Sequence, residues 1–298
     1  MAALTMKQIA GNTYMIPSPA NIGVWVSGSR ATLIDAGNDE DSGRQVLRLL
    51  GERGLTLELI VCTHSNADHV GGNAFLQKRT GCRIAATAVE ATFVGHPWLE
   101  PSLLYGAWPM KALRNKFLMA MPSTVTDVIQ DEGRILDTPL EALPLPGHFL
   151  GMIGVRTPDD VLFIADSVFS EAIIAKYPVL FMYDVEKHLE TLHRLEGLSA
   201  VWYVPSHAAP GQDIGRLVQV NIRRVEETVS LVESLCLKPS SFEDILEGVC
   251  STYGIDLDMS QYVLVGSTVR STISYLSDHS RIEARFFNGK LTWVRLEC

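Results

Sequence analysis

The sequence has little positive charge and no long hydrophobic run, and both deficits limit what the chain can bind. Lysine and arginine number 25 against 34 aspartates and glutamates, which gives a formal net charge of −9 at pH 7. This sign opposes binding to nucleic acid and to anionic membranes. There is no run of about 18 apolar residues, and the N-terminus has no basic stretch followed by an apolar one. We therefore expect a cytoplasmic protein without a nucleic-acid or membrane partner.

Cysteine is also scarce. The five cysteines are scattered, and none are spaced as C-x-x-C, so neither a disulfide framework nor a zinc ribbon is indicated. A reducing compartment fits this pattern. Cys62 lies two residues before His64, and we expect its thiol either to bind a metal or to be buried at a strand end. The five are Cys62, Cys82, Cys236, Cys250 and Cys298.

The sequence does have an ordinary globular composition. Of its 298 residues, 47% are hydrophobic and 20% are charged, which predicts one large domain or a large domain with an appendage. Apolar runs alternate with helical patterns over about the first 210 residues, and this predicts sheets covered by helices. The predicted strands are 23–28, 31–37, 57–62, 83–88, 140–147, 152–157, 161–166 and 200–205, and the predicted helices include 39–54 and 184–197.

Ligand-type residues follow several of these strands. His64 and His69 come after one strand, and His148, Asp166 and His207 each follow a later one. The ends of neighbouring strands can bring such residues together, because the strands lie about 4.8 Å apart. Each histidine alone is more simply a packed residue, but five ligands at four strand ends predict a metal site. We expect structural roles for the other histidines, which are His96, His188, His193 and His279.

This pattern resembles the metallo-β-lactamase superfamily. Residues 64–69, HSNADH, match its His-x-His-x-Asp-His motif with one change, and His148, Asp166 and His207 are similar to its later ligands. The stretches TLIDAG, LPGHFLGMIGV and FIADSVF look like strand motifs of its glyoxalase II-like hydrolases. The resemblance covers residues 8 to about 212. It implies an α/β (α+β) fold, a four-layer αββα sandwich with metal ions at one edge of its two sheets.

The resemblance also implies the metal ligands. In the family, the two histidines of the His-x-His pair and the later histidine hold one ion. The Asp-His pair and the last histidine hold a second, and the later aspartate bridges the two. Carried over to this chain, the second site is complete as Asp68, His69 and His207, with Asp166 beside it.

The first site keeps only His64 and His148, because Asn66 stands on the position of the missing histidine. An amide oxygen is a weaker zinc donor than an imidazole nitrogen. We therefore expect one tightly bound Zn²⁺ and a second that is weak or absent. Iron or manganese would also suit these ligands.

The candidate catalytic residues are Asp68, Asp166 and Asn66. Three protein ligands and an open position are typical of catalytic zinc, which lowers the pKa of bound water to about 7. Asp166 would bridge two ions, or would orient or deprotonate the attacking water. Asn66 would donate its amide to a substrate oxygen, or would be a loop residue bonded to its own backbone.

These residues indicate a hydrolase in which metal-bound hydroxide attacks the carbonyl of a small-molecule ester, thioester or lactone. The alternatives are a non-catalytic metal-binding protein on a decayed scaffold, a metal-dependent ribonuclease and an iron-dependent oxygenase. The presence of Asp68, His69, Asp166 and His207 favours the enzyme, because a decayed site has no reason to keep them.

We divide the chain into a domain of residues 1–212 and a C-terminal domain of residues 213–298. Within the first, residues of about 90–130 form a candidate lid or helical insertion, rich in aromatic and methionine side chains that suit an apolar or flexible substrate. The same side chains would also serve to pack helices onto the sandwich. This segment also contains a cluster of positive charge that would bind a substrate carboxylate: Lys111, Arg114 and Lys116.

The C-terminal segment has its own pattern. Ser240 and Glu243 look like a capping box, and Asn288-Gly289 predicts a hairpin turn. Helices followed by a hairpin resemble a winged helix. From residue 238 onwards there are eight acidic and six basic residues, which opposes nucleic-acid binding. We expect this segment to pack over the active site or to form a homodimer. An amphipathic helix is predicted from the spacing of Val218, Ile222, Val225, Val229 and Val232.

Overall fold

Two mixed β-sheets form the centre of the protein, for which a computed structural model describes residues 4–296. The first sheet has seven strands in sequence order, antiparallel from the first to the fourth and parallel from the fourth to the seventh. These strands are β1 (Lys7–Ala10), β2 (Thr13–Ile16), β3 (Ile22–Ser27), β4 (Arg30–Ile34), β5 (Thr56–Val61), β6 (Arg83–Thr87) and β7 (Asp127–Ile129).

The second sheet has five strands. They are β8 (Gly133–Arg134), β9 (Glu141–Pro144), β10 (Ile153–Arg156), β11 (Val161–Phe163) and β12 (Trp202–Val204). Their order across the sheet is β12-β11-β10-β9-β8, and only the pair β11 and β12 is parallel. All eight strands predicted from the sequence have counterparts in these two sheets.

Helices cover the outer faces of both sheets. The helices of residues 4–296 are α1 (Glu40–Glu52), α2 (Ala67–Val70), α3 (Asn73–Thr80), α4 (Ala88–Gly95), α5 (Leu99–Tyr105), α6 (Glu171–Lys176), α7 (Val185–Gly197), α8 (Gly215–Leu235), α9 (Phe242–Tyr253) and α10 (Met259–Asp278), and of these α5 and α9 pack mainly on other helices. Short 3₁₀ turns span Lys111–Leu113 and Ala165–Ser167. The insertion at about 90–130 therefore contains short helices, and its role as a lid stays a prediction.

Alternation along the strands separates the layers. In β4, Leu33 packs towards the helix layer with Val46 of α1, whereas its neighbour Ile34 packs between the sheets with Phe163 of β11. Successive side chains of a strand point to opposite faces, so one strand contributes to two cores. Together with a third cluster, on the outer face of the second sheet, this arrangement is the expected four-layer αββα sandwich.

The C-terminal segment adds helices α8, α9 and α10 and a hairpin of β13 (Ile282–Phe287) and β14 (Lys290–Arg295). Its turn is at the predicted Asn288-Gly289, where both residues have positive φ (49° and 76°), as a type I′ turn requires. The winged-helix resemblance and the boundary at residue 212 stay predictions. The predicted apolar stripe of α8 is buried throughout: Val218, Ile222, Val225, Val229 and Val232.

The capping box of α9 was predicted one residue too early. Ser241, not Ser240, caps the helix, and it does so together with Asp244 instead of Glu243. Ser240 is unavailable because its backbone exchanges two hydrogen bonds with Trp293 of β14, at 3.0 and 2.8 Å. Strand pairing therefore displaced the cap.

Within residues 4–296, no helix combines the length and the hydropathy that a membrane crossing requires.

The helices of the C-terminal segment share a core with the sandwich. Leu276 of α10 is fully buried, in a cluster that includes Leu162 of β11 and Leu192 of α7. We expect Leu276→Ala to lower the free energy of unfolding by roughly 2–5 kcal/mol, because it leaves a cavity. The exposed Ser274→Ala on the same helix should change it by less than about 0.5 kcal/mol. Urea denaturation measures both. Equal effects would contradict a shared core at Leu276.

Candidate metal centre

Strand ends from both sheets supply the candidate ligands. His64 follows β5 of the first sheet, while His148, Asp166 and His207 follow β9, β11 and β12 of the second. A hydrogen bond from the backbone N–H of Ile153 to the carbonyl of Thr63, at 3.0 Å, joins the sheets beside the site. The ligands of one sheet therefore face those of the other.

The six residues form two groups of three. One group contains His64, His148 and Asp166, and the other contains Asp68, His69 and His207. The ligand atoms of each group lie within 4.8 Å of one another. The structure thus brings together every metal ligand predicted from the sequence, and it adds Asp166 to the first group.

Asp166 lies between the groups. Its Oδ1 is 3.1 Å from Nε2 of His69, and its Oδ2 is 3.1 Å from Nε2 of His207 and 3.6 Å from Nε2 of His148. Asp68 is more open, with 40% of its side chain exposed, and its Oδ2 is 3.3 Å from Nε2 of His207. The buried carboxylate of Asp166 therefore lies close to histidines of both groups, whereas the more exposed carboxylate of Asp68 belongs to the second group alone.

Two of the imidazoles are oriented by backbone carbonyls on their Nδ1 side. Nδ1 of His148 is 3.0 Å from the carbonyl of Phe181, and Nδ1 of His207 is 2.8 Å from the carbonyl of Pro19. A carbonyl can only accept, so both Nδ1 atoms carry a hydrogen and donate it. The Nε2 atom of each ring then presents a lone pair when the ring is neutral.

Asp35 and Thr63 orient the other two rings. Nδ1 of His69 donates to Oδ2 of Asp35 at 2.8 Å. The hydroxyl of Thr63 donates to the same carboxylate at 2.8 Å, which leaves its oxygen to accept from Nδ1 of His64 at 3.1 Å. All four histidines therefore expose Nε2 to the centre, and such outer partners typically fix the tautomer of metal-binding histidines.

The donor set fits a divalent cation. Nε2 of His64 is buried and has no hydrogen-bond partner within residues 4–296, while Nε2 of His69 and Oδ1 of Asp166 are buried 3.1 Å apart without a hydrogen bond between them. Unpaired buried polar atoms are costly, and here they converge with two further imidazoles and a second carboxylate. Imidazole nitrogen and carboxylate oxygen are ligands of zinc, and also of iron and manganese.

The ionisable groups of the site also favour a bound positive charge. Burial opposes protonation of His207, but Asp166 and Asp68 outweigh it and raise the pKa of His207 to about 10. The pKa of His69 is likewise raised by these carboxylates against the effect of burial. Burial and the neighbouring His69 lower the pKa of His64 well below its usual value. The carboxylates thus favour protonation of His69 and His207, whereas His64 stays neutral, so the imidazoles supply only part of the positive charge that the carboxylates attract.

Asp35 adopts an unusual backbone conformation at φ 62°. Non-glycine residues in this left-handed region cost about 1–3 kcal/mol unless the surroundings over-determine them. Here the Asp35 carboxylate accepts three hydrogen bonds, from the N–H and hydroxyl of Thr63 and from His69. These three hydrogen bonds hold Asp35 in the strained conformation, and one of them orients the ring of His69.

Asn66 is buried at the N-terminus of α2, beside the first group. Its Oδ1 is 3.2 Å from Nε2 of His148, and its Nδ2 donates to Oε1 of Glu100 at 2.8 Å. The side chain makes no capping bond to its own helix. One amide hydrogen is therefore used by Glu100, and donation of the other to a substrate stays a prediction.

Sequence reasoning missed two buried glutamates. Glu100 lies on α5, and Glu90 on α4 accepts hydrogen bonds from the backbone N–H groups of Ser65 and Gly151 at 2.8 and 2.7 Å. Burial raises the pKa of both carboxyl groups, most strongly that of Glu100. Both occur in apolar helices without ligand spacing, so no sequence signal pointed to them.

The remaining candidates lie outside the two groups. Cys62 is buried, and its Sγ accepts a hydrogen bond from the side chain of Asn73 at 3.3 Å. Of the two expected roles, it therefore has that of a buried residue at a strand end.

His188 was expected on a polar helix, but it is fully buried behind the loop of His148. Its backbone lies so close to Gly147 (φ 121°) that only glycine fits there. His96, His193 and His279 are at least partly exposed.

A cavity of about 610 Å³ opens over the ligands. Lys116, from the predicted positive cluster, lies at its wall together with Lys176, whereas Lys111 and Arg114 do not. The first turns of α10 close another side, so the C-terminal segment does pack over the site. Much of the wall is apolar, formed by Leu118, Ile173, Leu180, Phe181, Leu264 and Val265.

Comparisons with known proteins agree with this geometry. Residues 15–207 match the family model described as the metallo-beta-lactamase superfamily. Curated relatives include hydroxyacylglutathione hydrolases from Cereibacter sphaeroides, 32% identical over 45% of this chain and 45% of that protein, and from Nitrobacter hamburgensis, 29% identical over 54% of each. The chain therefore spans about half the length of the curated relatives it matches.

Solved structures extend the likeness of fold to the whole chain. A metallo-beta-lactamase family protein from Thermus thermophilus has a TM-score of 0.72, with 18% identity, and the match covers 99% of both chains. A beta-lactamase domain protein from Burkholderia ambifaria also has a TM-score of 0.72, with 17% identity, and the match covers 98% of this chain and 93% of that protein. The C-terminal helices and hairpin therefore belong to an arrangement seen in other proteins.

The role of Asp35 can be tested through metal affinity. We expect Asp35→Asn to weaken Zn²⁺ binding to the group of Asp68, His69 and His207 by about 10–100-fold, the usual cost of losing an outer partner. The exposed Asp41→Asn on α1 is the control and should bind as wild type does. Competition with a chromophoric chelator measures both affinities. An unchanged affinity in Asp35→Asn would contradict this role.

Proposed function

The chain belongs to the metallo-beta-lactamase superfamily, because residues 15–207 match the model of that family. We propose that it is a metal-dependent hydrolase of a small-molecule thioester or ester. The observation that carries this proposal is the convergence of four Nε2 atoms and two carboxylates beneath a largely apolar cavity. The hydroxyacylglutathione hydrolase relatives support a thioester as the bond that is cleaved.

We propose zinc as the resident metal. The group of Asp68, His69 and His207 would hold one ion tightly, and His64 and His148 with Asp166 would hold a second more weakly. When bound, zinc supplies a Lewis acid for the carbonyl oxygen and lowers the pKa of a coordinated water to about 7. The proposed inequality follows from Asn66, whose amide oxygen stands where the family has an imidazole.

The two aspartates have different roles in this proposal. The histidines around Asp68 and Asp166 outweigh the effect of burial and hold the pKa of both carboxyl groups well below the usual range, so both are ionised at neutral pH. Asp68 lies at the cavity wall and is partly exposed, so it can accept a hydrogen bond from the attacking water and orient it. Asp166 is enclosed by histidines and holds the two groups together.

The cavity supports a substrate with an apolar acyl part. The side chains of Leu180, Phe181 and Leu264 would contact that part, whereas Lys116 and Lys176 would meet an anionic group of the substrate. Nζ of Lys116 lies 3.6 Å from Oδ2 of Asp39, and 66% of the lysine side chain is exposed, so this weak pair leaves Lys116 available to an anionic ligand. We propose no nucleic-acid partner, and a homodimer stays a prediction.

The first experiment concerns the second group. We expect His207→Ala to lose the tightly bound metal and all hydrolysis, while circular dichroism shows an unchanged fold. Elemental analysis and a panel of thioesters, esters, lactones and β-lactams, each with and without a carboxylate, test the proposal. Phe286→Ala, on the exposed hairpin, is the control.

Three outcomes would contradict the proposed function. A wild type that stays metal-free after reconstitution would remove its basis. A metal-loaded wild type that hydrolyses nothing would favour the non-catalytic binding protein. RNA binding that weakens steeply with salt would instead favour the ribonuclease, because that signature comes from counterion release.

The second experiment concerns the proposed weak site. Asn66→His should raise the metal content after dialysis from near one to near two per chain, because an imidazole nitrogen binds zinc at ~2.0–2.1 Å. If the free amide hydrogen of Asn66 contacts the substrate oxygen, kcat should fall by roughly 10²–10³-fold although metal is gained. Metal content and kcat are measured on the same samples. A wild type that already retains two ions would contradict the proposed inequality.

A further inference from the structure

Glu100 is a buried carboxylate beside the metal centre that the proposed chemistry does not use. It lies on α5, within the insertion, and only 5% of it is exposed. Its Oε1 accepts a hydrogen bond from Nδ2 of Asn66 at 2.8 Å. A charged or polar group at such depth normally has a specific partner, and here the partner is the residue that replaces a family ligand.

The orientation of the Asn66 amide follows from this bond. With Nδ2 towards Glu100, its Oδ1 faces Nε2 of His148 at 3.2 Å. Nδ1 of His148 donates to the carbonyl of Phe181, so Nε2 of the neutral ring presents a lone pair. Two acceptor atoms at this distance repel each other unless positive charge lies near both. Oδ1 of Asn66 and Nε2 of His148 therefore both present lone pairs that can bind a cation.

We propose that Glu100 is a positioning residue that aims the amide oxygen of Asn66 at the first group, where that oxygen is a metal donor together with His64, His148 and Asp166. The inference rests on the metal site of the proposed function but not on hydrolysis. A carboxylate can only accept hydrogen bonds, so Glu100 admits the NH₂ group of Asn66 and excludes its amide oxygen.

An asparagine ligand needs such a partner more than a histidine does. The amide can turn by 180° and present its NH₂ group, which cannot bind a cation, whereas its oxygen can. A fixed acceptor at Nδ2 removes that alternative. Because Glu100 belongs to α5, the insertion that borders the cavity also determines the affinity of the first site.

The test is a competition titration of full-length protein with Zn²⁺ and a chromophoric chelator, which resolves the affinities of the two sites without any substrate. We expect Glu100→Leu to weaken the first site by about 10–100-fold and to leave the second unchanged. Glu100→Gln should weaken the first site less than Glu100→Leu does, because its amide oxygen can still accept from Nδ2 although its NH₂ group can also donate to Oδ1. Leu103→Ala, exposed on the same helix, is the control and should be unchanged.

A double-mutant cycle separates positioning from a general structural effect. If Glu100 acts through Asn66, then Asn66→Ala should weaken the first site by itself, and adding Glu100→Leu should cause no further loss. Additive losses, equal losses at both sites, or wild-type affinity in Glu100→Leu would each overturn the proposal. If Glu100→Leu does not fold, Glu100→Ala replaces it in the cycle with the same expected outcomes, and an unchanged first site in Asn66→Ala alone overturns the proposal.

The wild-type titration distinguishes this inference from the proposed function. A wild type without any Zn²⁺ site contradicts both. A wild type that titrates as a single site overturns only the role of Asn66 and Glu100, because the group of Asp68, His69 and His207 is then sufficient.

Discussion

The structure depends on holding six electron-rich side chains at one edge of two sheets. Four imidazole nitrogens and two carboxylates repel each other unless positive charge lies among them. The fold opposes this repulsion by fixing each ring from behind, through Asp35, Thr63 and the backbone carbonyls of Pro19 and Phe181. The orientation of the candidate ligands is thus set by hydrogen bonds within the protein itself.

These outer partners also tie the metal centre to the cavity. Pro19 and Phe181 line the cavity and at the same time accept hydrogen bonds from His207 and His148. A substrate that displaces either segment would therefore move an imidazole. This coupling follows from the use of loop carbonyls, which belong to the same segments that shape the wall.

The sequence indicated the strands by itself, whereas the sandwich and the candidate ligand sets came from the resemblance of its motifs to those of a known family. Alternating apolar runs indicate strands, and the spacing of HSNADH places several ligands on one loop. Glu100 and Glu90 had no such signal, since Asn66 lies 34 residues from Glu100 and Gly151 lies 61 residues from Glu90. The cap at Ser241 was missed for a related reason, because Ser240 pairs with Trp293 far along the chain. Contacts that depend on tertiary packing are the part that periodicity and spacing do not contain.

The insertion and the C-terminal segment pack against each other and together line the cavity over the candidate ligands. Leu104, Leu113 and Leu118 of the insertion pack against Val263 of α10, and Asn115 donates to Ser260 at 3.2 Å. Neither segment supplies a residue to the two ligand groups, yet both line the cavity. Changes in this contact can alter the apolar wall while the strand ends keep the ligands in place. In the proposed function, the substrate would therefore be selected by elements outside the sandwich, and Glu100 links one of them, α5, to Asn66 beside the candidate ligands.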